Sequence, residues 1–369
     1  MALIQLILHN FFSFVFIIST IVFIHEFGHF WVARLCGVKV EEFSLGFGFK
    51  LFSRTDKKGT LWKICALPFG GYVKMFGDRN ASSMPDLAAI SVMSDSDKKQ
   101  SFIGKNVWQR MSIVAAGPAA NFILAIFILT ILFKINGLTT ILPVVDEVLP
   151  QSAAFEVGLK RGDKILAIDQ KEISNFEELQ LIVLSSKNQE LNLKIERETT
   201  VFEVKITPKV ELRKDFFGDE IKLGILGITA SVADHKDLNL LQSFIESTKQ
   251  TYQISGSILH ALGELITGKR DFKELGGPIK IAKYSGKTVE MGLSAVVWFM
   301  AMISINLGVM NLLPVPVLDG GHLFFYAIEA VFKKPLSQKV QKIGFQIGFS
   351  LVLTLMIFTT FNDIAQLLH

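Results

Sequence analysis

Residues 11 to 33 read FFSFVFIISTIVFIHEFGHFWVA, an apolar run without Lys, Arg or Pro that is long enough to cross about 30 Å of hydrocarbon as a helix. No other feature restricts the fold as much, because a segment in lipid must satisfy its own backbone polar groups. Within the run stand His25-Glu26-Phe27-Gly28-His29, an H-E-x-x-H motif. Residues i and i+4 share a helix face, so His25 and His29 can present imidazoles to one zinc ion, with Glu26 in reach of a water beside it. A carboxylate at that depth costs a few kcal/mol on insertion scales, so another part of the bundle must compensate it.

Composition fits a membrane protein with water-exposed parts: half of the residues are hydrophobic and a fifth are charged. The net charge of +4 gives no reason to expect a nucleic-acid partner. Cys36 and Cys65 are too few and too far apart for a disulfide framework or a thiolate metal site. The first residues lack the basic stretch of a signal peptide, so the first span is expected to remain in the mature protein.

Apolar length marks four spans, at about 11–34, 107–134, 293–313 and 343–367. Lys and Arg crowd the loops between spans one and two and between spans three and four, while the termini carry none. The positive-inside rule then puts both loops in the cytoplasm, with both termini and the long 135–290 segment outside. His25 and His29 fall in the cytoplasmic half of span one. Span three ends at the same depth, followed by NLLPVPVLDGGH at 311–322. A catalytic zinc needs three protein ligands, and Asp319 is a candidate for the third. The alternative is a loop turn in which Asp319 caps the helix that begins near His322.

HEFGH in the first span with NLLPVPVLDGGH after the third resembles the site-2 protease family of intramembrane zinc metalloproteases. Further matches are GFGFKL at 46–51, LPFGGYVKM at 67–75, GPAANF at 117–122, ELGGPIKIA at 274–282 and ISINLGVMN at 303–311. The resemblance covers essentially the whole chain. It implies Zn2+ held by His25, His29 and Asp319, Glu26 as general base, and Asn306 and Asn311 as holders of an unwound substrate backbone. It also implies a bacterial inner-membrane location and transmembrane protein substrates, such as anti-sigma factors or remnant signal peptides, trimmed beforehand by another protease. From the residues alone, the two asparagines can equally serve interhelical hydrogen bonds. His322, beside the DGG turn, can orient the zinc site.

Residues 40–77 have apolar strands around a Lys57-Lys58-Gly59 turn, the pattern of a membrane-associated β-hairpin. Glycines 46, 48, 70 and 71 permit close backbone approach, and Gly70 and Gly71 are candidate substrate contacts. An unpaired edge there would hold an extended substrate by strand addition; the plainer role is contact with lipid headgroups. Residues 80–100 read as a partly helical linker.

Beyond span two, LNLKIE at 191–196 and VFEVKIT at 201–207 alternate as half-buried strands, and Ser174-Asn175-Phe176-Glu177 opens a helix. The run SAAFEVGLKRGDKILAIDQKEI resembles bacterial PDZ domains, which bind extended peptides or C-termini. One α+β PDZ domain is expected at about 142–209, where some family members carry two in tandem. Residues 238–268 read as an amphipathic helix with Leu241, Phe244, Ile245, Ile258, Leu259, Leu262 and Leu265 on the membrane or on the PDZ domain.

The expected fold is thus an α-helical polytopic membrane protein with four transmembrane helices, a membrane-associated β-hairpin insert and an extracytoplasmic α+β PDZ domain. Its segments are 1–35, 36–106, 107–134, 135–237, 238–290, 291–325 and 326–369. Two other functional classes share these features: an inactive PDZ scaffold, and a metal or ion transporter with polar groups along its path.

Overall fold

The structure is a computed structural model that describes residues 2–78, 93–186, 188–214, 220–268, 272 and 275–368. Much of the linker expected at 80–100 lies outside the described residues. Two compact units emerge, Met1–Leu132 with Gln242–His369, and Phe133–Leu241.

The first unit begins with α1 (Ala2–Leu35), which carries the H-E-x-x-H motif near its C-terminal end. It continues into strands β1 (Val40–Thr55) and β2 (Leu61–Met75), an antiparallel hairpin with repeated register shifts. Gly46 permits one of these bulges: its φ is +86°, and a Cβ there would stand 2.5 Å from the Leu67 carbonyl oxygen. A short α2 (Asp95–Gln100), capped by Ser94, leads to α3 (Val107–Asn136). Phe30 and Ala33 of α1, Phe43 and Val73 of the hairpin and Ile113 of α3 share one core cluster, which ties the hairpin to the helix bearing the motif.

The second unit holds β3 (Leu138–Ile141), β4 (Glu147–Val148), α4 (Ala153–Glu156), β5 (Lys164–Ile168), β6 (Lys171–Glu172), α5 (Phe176–Ser185), β7 (Leu191–Arg197) and β8 (Thr200–Ile206). These are followed by β9 (Lys209–Lys214), β10 (Glu220–Ile225), β11 (Ile228–Thr229) and β12 (Ala233–Lys236). Its main sheet has the order β6-β5-β7-β8, all antiparallel. Leu191, Leu193 and Ile195 point into the core with Leu179 and Val183 of α5, as the period-two alternation requires. Asn175, rather than Ser174, caps α5 by accepting the Glu178 amide.

The chain returns to the first unit through α6 (Leu240–Ile266), α7 (Pro278–Glu290), α8 (Leu293–Leu312), α9 (Asp319–Phe332) and α10 (Gln338–Leu368). Asp363 of α10 caps α7 by accepting the amides of Gly277 and Lys280. Ile17 and Ile21 of α1 pack on Val296, Phe299 and Met300 of α8. Among the described residues, Gln5–Leu35, Val107–Asn136, Leu293–Leu312 and Lys339–Gln366 are long and apolar enough to cross a membrane.

Candidate metal centre

On α1 the side chains of His25 and His29 rise one above the other, because their spacing of four is close to one helical turn. Their rings meet edge to face with centroids 4.8 Å apart, and their Nε2 atoms are 3.2 Å from each other. Asp319, the first residue of α9, sends Oδ2 to 3.2 Å from Nε2 of His25 and 3.5 Å from Nε2 of His29. That oxygen is buried without a hydrogen-bond donor. In a tetrahedral zinc site with bonds of about 2.0–2.1 Å, ligand atoms stand about 3.3 Å apart, so this donor set fits a zinc ion.

The loop that delivers Asp319 follows from its prolines. Pro314 cannot extend α8, which ends at Leu312, and the chain turns through Val315–Val317 before α9 starts. Leu318 occupies the capping position of α9 and makes no side-chain cap, so Asp319 is not used as the cap of its own helix. Arg110 of α3 makes a two-pronged salt bridge to Glu329 and stacks on Tyr326, which fixes α9 against α3.

A cavity of about 560 Å³ opens over these groups. Glu26, Gly71, Asn311 and His322 line it together with His25, His29 and Asp319. A Cβ on Gly71 would lie 2.9 Å from Cγ of Glu26, so the hairpin backbone passes directly beside that carboxylate. Gly70 is not on the cavity wall and faces the Phe47 ring instead. Asn306 is exposed and lies outside the cavity. The His322 ring packs edge-on against Phe345, with centroids 5.2 Å apart.

Three contributors from α3 were given no role in the sequence reading, although Gly117 and Asn121 lie in its GPAANF match. Nδ1 of His29 donates to the Ile113 carbonyl at 2.9 Å. Gly117 provides the space for both rings, since a Cβ there would lie 2.2 Å from Nε2 of His29. Asn121, fully buried, brings its amide to 3.2 Å from Nδ1 of His25. The GPAANF run at 117–122 and a polar Asn inside an apolar span were the signals available for Gly117 and Asn121; the backbone carbonyl of Ile113 leaves none.

Two histidines and an aspartate with ligand atoms within 4.8 Å of one another, joined to membrane-length helices, form the kind of group by which a membrane protein could hold a metal ion. The model of Peptidase family M50 matches residues 13–355, and the chain belongs to that family. A protein of Agrobacterium fabrum whose name places it among zinc metalloproteases is 40% identical over 359 residues, covering 96% of this chain and 95% of the relative. Metalloprotease MmpA of Caulobacter vibrioides is 36% identical over 375 residues, covering 95% and 94%. The solved PDZ domain of the SdrC-like protein of Listeria monocytogenes aligns with 24% of this chain and 84% of its own, at 22% identity and a TM-score of 0.20, too low to carry an argument. The chain is therefore an intramembrane zinc metalloprotease of the site-2 type, a helical protein of the bacterial inner membrane.

Proposed function

We propose that His25, His29 and Asp319 are the zinc ligands, that Glu26 is the general base, and that the enzyme hydrolyses peptide bonds within or near transmembrane segments. The observation that carries the reading is the approach of one Asp319 oxygen to both Nε2 atoms, within 3.5 Å, beside Glu26. Zinc, when bound, supplies the Lewis acidity that lets water attack an amide near neutral pH. Glu26 takes the proton from the attacking water and returns it to the leaving amine. A helical substrate hides its carbonyls, so the scissile stretch must be extended. Asn311 and the Gly71 backbone supply polar groups for it on the cavity wall. His322 shapes the aromatic side of the same cavity. Gly70 and Asn306, off the wall, are left with indirect parts.

The loop charges support an orientation with both termini and the Phe133–Leu241 unit in the periplasm and the active site toward the cytoplasm. That unit acts as a PDZ domain for an extended peptide or C-terminus. The substrates are transmembrane proteins already trimmed by another protease, in the manner of anti-sigma factors or remnant signal peptides, and the exposed Phe49, Leu51 and Phe52 of the hairpin meet lipid or substrate. Purified protein should hold about one zinc per chain, and His25→Ala should lose it. Wild-type zinc affinity in His25→Ala would refute the ligand assignment.

A further inference from the structure

We infer that Asn121 is a positioning residue for His25: its side-chain carbonyl accepts a hydrogen bond from His25 Nδ1–H and so leaves Nε2 of His25 free to bind the metal. The inference rests on the zinc assignment proposed above and extends it to a residue of another helix.

His29 shows what a ligand of this kind needs. Its Nδ1 lies 2.9 Å from the Ile113 carbonyl, which can only accept, so Nδ1 carries the proton and Nε2 the lone pair. His25 needs the same arrangement. Beside its Nδ1, at 3.2 Å, stands the Nδ2 end of the Asn121 amide. With the Nδ2 end turned to the ring, Nδ1 would be the acceptor and Nε2 would hold the proton, pointed at the metal position. That orientation also leaves Oδ1 of Asn121 buried without a donor. The two ends of an amide have the same shape, and only the hydrogen bonds distinguish them. With the amide turned over, Oδ1 accepts from His25 Nδ1–H, Nδ2 takes the place that Oδ1 held, and both Nε2 lone pairs face Asp319.

The helix geometry accounts for the pairing. Ile113, Gly117 and Asn121 follow one another at intervals of four on α3, and His25 and His29 at the same interval on α1. Run in opposite directions, the two helices match His29 with Ile113 and His25 with Asn121, while Gly117 between them lacks the side chain that would strike both rings. Asn121 is itself held. It is 0% exposed, and its backbone carbonyl accepts the Ser304 hydroxyl of α8 at 2.8 Å. A metal-bound histidine is generally oriented by an acceptor on its other nitrogen, and loss of such a partner weakens metal binding about 10–100-fold.

The test compares full-length protein with Asn121→Leu, similar in size but without an acceptor, and Asn121→Asp, an acceptor of nearly the same shape. Zinc affinity is measured by chelator competition. Asn121→Leu should bind zinc about 10–100-fold more weakly, and Asn121→Asp should stay within a few-fold of wild type or bind more tightly. A purely structural asparagine would make the buried carboxylate as harmful as leucine, and that result would overturn the inference. Should neither variant fold, nitrogen NMR of 15N-histidine-labelled wild-type protein decides. His25 protonated on Nδ1 and coordinated through Nε2 supports the role; coordination through Nδ1 refutes it. Wild-type protein that binds no zinc would overturn the zinc site and this inference together, whereas normal zinc in both wild type and Asn121→Leu would overturn the inference alone.

Discussion

Gly117→Ala adds one methyl group at the back of the proposed zinc site. Its Cβ would lie 2.2 Å from Nε2 and 2.5 Å from Cε1 of His29, and 2.9 Å from Cε1 of His25. Ordinary contact begins near about 3.4 Å, so the His29 ring must retreat by about 1.2 Å. It has little freedom to do so, because Nδ1 is tied to the Ile113 carbonyl. Metal sites hold ligand distances within about 0.2 Å, and the required shift is about six times larger. A misplacement of about 1 Å in a catalytic group can lower activity about 100-fold, so cleavage should fall at least that far, together with a loss of zinc after dialysis against a chelator. The assays are metal content and cleavage of a transmembrane reporter in detergent or vesicles. Gly263→Ala in α6, where nothing lies within 4 Å of the added carbon, is the control and should leave both unchanged. Gly117→Ala protein with wild-type zinc and wild-type cleavage would refute the placement of His29 and with it the reasoning about the site.

Three further outcomes follow from the same geometry. Glu26→Gln keeps shape and hydrogen bonding but loses proton acceptance, so cleavage should drop by about two orders of magnitude while zinc remains; near-normal hydrolysis would move the role of base elsewhere. In a background without Cys36 and Cys65, an impermeant thiol reagent should label Lys160→Cys and His235→Cys in intact cells but not Lys57→Cys or Lys334→Cys, and labelling at position 57 would invert the orientation. Burial, with the Glu41 charge adding to it, pushes the Asp78 carboxyl up to about 7 against a weak amide donor from Met75 and the charge of Lys74. Its folded-state pKa then exceeds the unfolded one, so its share of stability is whole below about pH 4 and lost as pH rises through 7. Thermal melting of purified protein should be lower at pH 8 than at pH 5 from this cause, Asp78→Asn should lessen the difference, and an unchanged pH profile in the variant would dismiss the effect.

The sequence made α1 and its motif legible because two strong periodic signals coincide there: uninterrupted apolar length, and ligands one helical turn apart. The hairpin was readable from its turn at Lys57–Gly59, and the strands around Leu191–Ile195 from their alternation. Asp319 stood between two readings, a helix cap or a ligand, because a sequence records the proximity of Asp to a helix start but not the direction of its carboxylate. Its position opposite His25 depends on the turn through Pro314 and Pro316, whose path no local propensity defines. Ile113 and Asn121 were harder still. They meet the histidines across 84 and 96 residues of chain, and the Ile113 contribution is a carbonyl that every residue possesses.

Helix α6 shows why periodicity alone could not place every face. Of its apolar positions Leu241, Phe244, Ile245 and Leu259 are exposed and Leu265 alone among those named with them is buried, while Ser243, Ser247 and Thr251 are buried as well. Ser247 meets Thr130 of α3 hydroxyl to hydroxyl at 2.7 Å. In water such an arrangement would be inside out, since burial of apolar area is what drives folding there. Beside lipid the preference changes: apolar side chains lose nothing by facing hydrocarbon, and small hydroxyl residues allow helices to approach and bond. A hydrophobic stripe therefore reports which face avoids water, and only the solvent decides whether the neighbour is protein or lipid. The same rule explains the metal centre from the other side. Apart from Ser and Thr, His25, Glu26 and His29 are the polar residues of their span, so they must turn inward, toward α3 and α9, where the groups able to satisfy them are found.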